Sequence, residues 1–297
     1  MSVTPPKLIN LKGTLRDLSQ EPLVMGILNV TPDSFFSPSR KQTLEEIEQR
    51  TDEILSQGAQ IIDVGAYSSR PGAEDISEKE EIERLRPALE LIRRKYPRAI
   101  VSIDTFRSRV AQVCVEEWGA DIINDISAGD LDPDMFSTIA RLRVPYIIMH
   151  MQGTPGTMQE APRYEGNIVQ EVLLYLEQKI QKLQALGVND IIVDPGFGFG
   201  KTLEHNYQLL DGLQEFALLQ RPLLVGVSRK SMIYRLLDTT PAHALNGTTA
   251  IHAISLMKGA SILRAHDVRE AVETVRIYQK MKQCASPAEA TGEAIQP

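Results

Sequence analysis

Several times along the chain an amphipathic stretch ends at a glycine, and a short apolar run follows that stops on a polar or charged residue. Gly58-Ala-Gln-Ile-Ile-Asp63, Gly119-Ala-Asp-Ile-Ile-Asn124 and Gly259-Ala-Ser-Ile-Leu-Arg264 share this form. A looser copy runs from Gly187 through Ile191, Ile192 and Val193 to Asp194. Glycine closes a helix because it accepts the left-handed conformation that a C-terminal cap needs. The apolar run predicts a strand buried on both faces, with the polar residue at its C-terminal tip. Helix, glycine, buried strand and polar tip, repeated, predict a parallel α/β barrel.

Taken in order, the pattern predicts strands over 23–28, 61–64, 100–103, a run ending at Asn124, 144–149, 191–193, 223–227 and 262–263. Helical faces separate them. Thr43-Leu-Glu-Glu46 and Ser77-Glu-Lys-Glu80 read as capping boxes, the first ahead of Leu44, Ile47, Ile54 and Leu55, the second ahead of Ile82, Leu85, Leu89 and Ile92. Helical spacing also marks about 107–118, about 168–186 and a last helix reaching about 282. Residues 1–22 read as an N-terminal hairpin appendage turning at Lys12-Gly13, placed to cover the N-terminal mouth of the barrel. The fold class is therefore α/β, a (β/α)8 TIM barrel over 23–283 with a short N-terminal hairpin and a disordered tail over 284–297. An open doubly wound sheet is the alternative, but no nucleotide-type glycine turn follows the first strand.

Composition narrows the partners. The chain has 297 residues, 42% hydrophobic and 24% charged, as in ordinary globular enzymes. No apolar run approaches the ~20 residues of a membrane span, and the first residues lack the plan of a secretory signal. Cys114 and Cys284 form no metal-like or redox pair, which fits a reducing cytoplasm. The net charge of −7 argues against nucleic acid as a partner while leaving room for an anionic small molecule in a local basic pocket.

In such barrels the chemistry sits at the C-terminal mouth. The tips there are Asn29, Asp63, Asp104, Asn124, His150, Asp194, Ser228 and Arg264, all polar. Taken singly, Asp63 and His150 read equally well as residues that merely satisfy local backbone groups. Arg70, Lys201, Arg229, Lys230, Arg264 and His266 lie in mouth loops and suit a phosphorylated or pyrophosphorylated substrate. For Lys201 and Arg229, a solvated loop charge is the plainer reading. Asp104, Asn124 and Asp194, with a lysine nearby, offer alternating donors and acceptors to a flat nitrogen heterocycle. The Gly196, Gly198, Gly200 spacing follows the sixth predicted strand and carries Phe197 and Phe199, so it predicts close backbone approach rather than dinucleotide binding. The histidines show no zinc-site spacing. A hard cation held by Asn29 and substrate phosphate oxygens, Mg2+, is the metal that the pattern favours.

Asn29-Val-Thr-Pro-Asp-Ser-Phe35, Ser68-Ser-Arg-Pro-Gly-Ala73, Ser102-Ile-Asp-Thr105, Asn124-Asp-Ile-Ser127, Met149-His-Met-Gln-Gly153, Asp194-Pro-Gly-Phe-Gly-Phe-Gly-Lys201, Gly226-Val-Ser-Arg-Lys-Ser231 and Arg264-Ala-His-Asp267 together resemble the dihydropteroate synthase family. The resemblance covers roughly residues 23–282. It implies condensation of 6-hydroxymethyl-7,8-dihydropterin diphosphate with 4-aminobenzoate to 7,8-dihydropteroate and pyrophosphate, in folate biosynthesis. It further implies that Asn29 binds Mg2+ with the diphosphate, and that Arg70, Arg264 and His266 hold the diphosphate. Asp104, Asn124, Asp194 and Lys230 would form the pterin pocket, and Ser69, Pro71, Phe199 and Ser231 would lie near the aminobenzoate, where sulfonamide-type analogues compete. Asp104, Arg70, Lys230, Arg264 and His266 are the expected catalytic residues. Barrels of this family are usually dimers, so a homodimer is expected. Two departures stand out: the first loop reads Phe36-Ser-Pro-Ser-Arg40, where Ser-Asp-Gly-Gly is usual, and Ser69 stands where Thr is usual. The methyltetrahydrofolate:corrinoid methyltransferases share the pterin-binding tips but have no use for a diphosphate cradle. A catalytically silent paralogue would be expected to lose Asn29, the Ser-Arg-Pro loop or Lys230.

Overall fold

The computed structural model describes residues 7–30, 40–68, 75–154, 156, 158 and 162–285. Ser69, Arg70, Pro71 and the Phe36–Ser39 part of the unusual first loop lie outside them, as do residues 286–297 of the tail; Cys284 and Ala285, expected in that tail, instead end the last helix. An antiparallel hairpin, β1 (Leu8–Leu11) and β2 (Thr14–Asp17), opens the fold. Eight strands follow: β3 (Leu23–Asn29), β4 (Ile61–Gly65), β5 (Ile100–Asp104), β6 (Ile122–Asp125), β7 (Tyr146–Met149), β8 (Ile191–Asp194), β9 (Leu224–Val225) and β10 (Ile262–Ala265). They form one parallel sheet in the order β8-β7-β6-β5-β4-β3-β10-β9. A parallel bridge between Val193 and Leu223 joins its two edges, with the Val193 N–H donating to Pro222 O at 3.0 Å. The sheet is thereby a barrel.

Helices α1 (Arg40–Ser56), α2 (Glu78–Lys95), α3 (Ser108–Trp118), α4 (Met135–Leu142), α5 (Ile168–Ala185), α6 (Leu203–Asp211), α7 (Ser231–Tyr234), α8 (Leu245–Met257) and α9 (Val268–Ala285) wrap the strands. None is long and apolar enough to cross a membrane. The repeated glycines end helices in one way. Gly58, Gly119, Gly187 and Gly259 all have positive φ. The residue after each donates its N–H back into the last turn of the helix: Ala59 to Ile54, Val188 to Leu183 and Ala260 to Ser255, each five positions back, and Ala120 to Cys114, six back. This reversal turns the chain from helix into strand. Ser77 caps α2 as expected, accepting the Glu80 N–H at 3.2 Å. By contrast α1 begins at Arg40, ahead of the Thr43 start. β9 is two residues long rather than five, since it pairs with β10 only through Leu224 and Val225.

Strand parity sorts the core. Ile62, Val64, Val101, Ile103, Ile123, Ile148, Val193, Val225 and Leu263 point outward into the layer under the helices. Leu23, Met25, Ile61, Ile100, Ile122, Ile147, Ile192, Leu224 and Ile262 fill the barrel's N-terminal half. Ile9, Leu11 and Leu18 of the hairpin region belong to that same inner cluster, so the hairpin closes the barrel floor. Lys7 secures it, donating from Nζ to Gly259 O at 2.9 Å. The opposite end is left for chemistry.

Candidate active site

Two residues above the apolar floor, the same parity turns Asp63, Ser102, Asn124, Asp194, Gly226 and Arg264 into the barrel interior. Asp104 is one pleat higher on β5. Arg264 reaches across the mouth from β10. Its Nε donates to Asp63 Oδ2 at 2.6 Å and a terminal nitrogen donates to Asp104 Oδ2 at 2.7 Å. Asn124 Nδ2 donates to that same oxygen of Asp63 at 3.1 Å. Gly65 makes room for Asp104, whose Cβ lies 3.3 Å from where a side chain on Gly65 would begin.

Burial sets the charges. It pushes the Asp104 carboxyl up to about 7, with Arg264 opposing and Asp63 adding to the rise. It also raises Asp194, against the pull of Lys230 and of the Gly196 N–H, which donates to Asp194 Oδ1 at 2.7 Å. Burial lowers the Lys230 ammonium to about 8, with Asp194 opposing. Lys230 Nζ donates to Phe197 O at 2.6 Å and sits 4.7 Å from the centre of the Phe199 ring. His266 is lowered to about 4 by burial and by the Arg264 charge, so its ring is neutral near pH 7. Its Nδ1 lies 3.1 Å from Ser228 Oγ, which also accepts the His266 N–H. Ser231 opens α7 directly after Lys230.

The glycine-rich segment after β8 is held tightly. A Cβ on Gly196 would lie 1.9 Å from His150 O, and one on Gly200 would lie 2.6 Å from Gln152 O. Both glycines have positive φ. Asn206 Oδ1 accepts the Gly198 N–H at 2.7 Å, and Tyr164 donates its hydroxyl to Gly200 O at 2.8 Å. The segment thus places the Phe197 carbonyl and the Phe199 ring around Lys230 by backbone packing, the close approach that the spacing predicts.

The structure therefore brings Asp104, Asn124, Asp194, Phe199, Lys230, Ser231, Arg264 and His266 to one mouth, with Asn29 at the tip of β3. It sets two of the basic residues apart. Arg229 is clamped on both oxygens of Asp267 at 2.9 and 2.8 Å and donates to Pro241 O and Ala242 O. Lys201 is 4% exposed and turns inward, with Nζ 3.0 Å from His150 Nδ1 and donating to Phe199 O at 3.1 Å. Neither is a solvated loop charge, and neither faces the open mouth. Asp63, given no ligand role by sequence, is fully buried at the centre of the polar layer. Strand parity carried that signal, since Asp63 follows inward-facing Ile61 by two. Among the described residues no group of three or more His, Cys, Asp or Glu side chains could hold a metal ion. Asn29 offers one neutral oxygen, which fits a hard cation bound chiefly through oxygens of a ligand.

A barrel whose mouth brings paired carboxylates, an amide and buried cations together is that of an enzyme for a flat, polar heterocycle. Residues 25–266 match the model of the pterin binding enzyme family. The chain is 43% identical over 270 residues to the dihydropteroate synthase of Escherichia coli K12, covering 90% of this chain and 94% of that protein. It is 41% identical to that of Haemophilus influenzae, covering 87% and 93%. The Yersinia pestis dihydropteroate synthase in a sulfonamide drug complex superposes with a TM-score of 0.85 at 39% identity, covering 93% of this chain and 99% of that one. The Xanthomonas albilineans enzyme in complex with 7,8-dihydropteroate gives 0.80 at 31% identity, covering 94% and 99%. The chain belongs to the pterin-binding enzymes and, among them, to the dihydropteroate synthase family.

Gly196→Ala tests the packed segment. Left-handed strain alone costs about 1–3 kcal/mol, and the 1.9 Å approach to His150 O adds to it. Urea unfolding is expected to show at least that loss. An unchanged midpoint would show that the segment relaxes freely.

Proposed function

We infer that the chain condenses 6-hydroxymethyl-7,8-dihydropterin diphosphate with 4-aminobenzoate, releasing pyrophosphate and 7,8-dihydropteroate. The observation that carries this is the convergence of Asp104, Asn124, Asp194, Lys230, Arg264 and His266 at one barrel mouth, in a chain 43% identical to a dihydropteroate synthase. In this reading Asp104, Asn124, Asp194 and Lys230 receive the pterin. Their carboxylates accept its N–H groups, and the amide and the ammonium donate to its acceptors. Arg264 and His266 hold the diphosphate together with Arg70, and Phe199 and Ser231 meet the aminobenzoate together with Ser69 and Pro71.

Departure of pyrophosphate leaves an electron-poor methylene conjugated to the pterin ring. Asp104 and Asp194 place negative charge beside that ring, and Arg264 places positive charge beside the leaving anion. With both carboxyls ionised, these charges stand where charge develops. His266, neutral when free, contributes as a hydrogen-bond donor. The arylamine supplies the attacking electron pair, so no enzyme nucleophile is required. Asn29 would hold Mg2+ with the diphosphate oxygens, and the bound ion would add positive charge to the leaving group.

We place the activity in a reducing cytoplasm, in keeping with the free thiols of buried Cys114 and exposed Cys284. We also propose a homodimer. Of the apolar residues on the last two helices, Ile251, Leu256, Val272 and Val275 are buried in this chain, but Ile254, Met257, Ile277 and Met281 are exposed. Exposed apolar residues on two neighbouring helices suit a self-association face. Sedimentation equilibrium is expected to give twice the chain mass, and Ile277→Asp is expected to lower it toward one chain. A wild-type monomer mass would overturn this.

Two kinetic outcomes follow from the chemistry. Pyrophosphate release should require both the pterin diphosphate and 4-aminobenzoate, and release of none would sink the assignment. Ionised Asp104 and charged Lys230 coexist between about 7 and 8. As pH falls through about 7 Asp104 gains a proton, and as pH rises through about 8 Lys230 loses one. kcat/KM for the pterin diphosphate is therefore expected to fall on both sides of that window. Lys230→Arg should move the alkaline limb upward. An alkaline limb that stays in place would remove Lys230 from this role.

A further inference from the structure

Asp63 has no exposure, yet among the described residues only one of its oxygens finds a partner. Oδ2 accepts from Arg264 Nε at 2.6 Å and from Asn124 Nδ2 at 3.1 Å, while Oδ1 has no partner among the described residues. A buried carboxylate with an unsatisfied oxygen destabilises a fold. A purely structural filler at this place would be apolar, as Ile61 is one layer below. The two donors that Asp63 engages belong, in the reading above, to the two halves of one substrate: Asn124 to the pterin and Arg264 to the diphosphate.

The two ends of the Arg264 side chain are held differently. Nε, nearest the stem, is bound by a residue sealed in the barrel. The terminal nitrogen is bound by Asp104, which is itself a proposed pterin contact and is partly open to the mouth. A pterin N–H arriving at Asp104 would compete with that terminal nitrogen for Oδ2, and it brings an anionic diphosphate with it. Gly226 lies alongside, and a side chain on it would begin 3.9 Å from both Cβ and Cδ of Arg264, so the arm passes a residue with no bulk of its own.

We propose that Asp63 is a positioning residue: it pins Arg264 by Nε and Asn124 by Nδ2, so that the terminal guanidinium nitrogens pass from Asp104 to the substrate diphosphate while the stem stays fixed. Asp63 touches no substrate and acts through Arg264. The proposal rests on the assignment of Arg264 to the diphosphate.

The test is a double-mutant cycle of Asp63→Asn and Arg264→Ala, read by inhibition of the full-length enzyme with inorganic pyrophosphate at fixed Mg2+, competing against the pterin diphosphate. Asp63→Asn keeps the side-chain shape and is expected to raise the pyrophosphate inhibition constant about tenfold, the effect of one weakened charged hydrogen bond. In the Arg264→Ala background the same change is expected to have no further effect, because a positioning residue has nothing left to position. A merely structural role would lower the melting temperature and leave the inhibition constant unmoved, or would act equally in both backgrounds, and either result overturns the proposal. If Arg264→Ala alone leaves inhibition unchanged, the diphosphate assignment fails and this inference fails with it. If Arg264→Ala weakens inhibition but Asp63→Asn does not, this inference fails alone. Asp63→Ser, smaller than the native side chain, is read in the same cycle if Asp63→Asn does not fold.

Discussion

The ion pair of Arg264 with Asp63 and Asp104 is possible only because eight strands share one closed interior and alternate their side chains across it. Positions two apart on a strand face the same way. Ile61, Ile100, Ile122, Ile192, Leu224 and Ile262 therefore build an apolar floor, and Asp63, Ser102, Asn124, Asp194, Gly226 and Arg264 stand one layer above it. A slip of one residue in β4 would put Ile62 in the mouth and Asp63 under the helices, where nothing could pair it. The hairpin region closes the floor with Ile9, Leu11 and Leu18, all buried in the same inner cluster.

Confinement of this kind makes the charges interdependent. Carboxylates crowded into a dry interior resist ionisation, and a single arginine reaching two of them keeps that cost tolerable. The pair at Asp63 is sealed in the barrel, while Asp104 is partly open to the mouth. The distal end of the guanidinium is thus the part a ligand can displace. The same confinement weakens the hold of Lys230 on its proton, so the site offers donors and acceptors near neutrality rather than fixed surface charges. Donors set in advance of the ligand lose little on reorganisation, which is where such sites gain over water.

How much of this was legible in the sequence follows from the range of each signal. The Gly-Ala-x-Ile-Ile-polar repeat is local, and it located strands, helix ends and tips. The polar tip that ends each apolar run is also local, and it set Asp104, Asn124, Asp194 and Arg264 at one mouth. What sequence did not carry was pairing across the barrel. Asp63 looked dispensable because its partners are 61 and 201 positions away. Arg229 looked like a member of an anion cradle because its lock, Asp267, lies 38 residues on. The apolar positions of α8 and α9 could not be divided into core and surface without the helix packing that buries Ile251 and leaves Ile254 out. β9 was read too long because an apolar run shows burial and says nothing of which residues find ladder partners.

Lys201 shows how a misleading local signal hides a constructive role. Two basic side chains, Lys201 and His150, lie in contact beneath the mouth. Both cannot be charged there. Burial first, and then the nearby lysine, holds His150 down at about 2, and burial lowers Lys201 to about 7. With His150 neutral, Lys201 can bridge the end of β7 and the glycine-rich segment by donating to His150 O at 3.3 Å and to Phe199 O at 3.1 Å. That segment in turn presents the Phe197 carbonyl to Lys230. A lysine at the end of a glycine-rich loop reads most plainly as a solvated loop charge, but this one is an internal strut. The cation that the pterin reading needs at the mouth is the neighbouring lysine, which the strut helps to place.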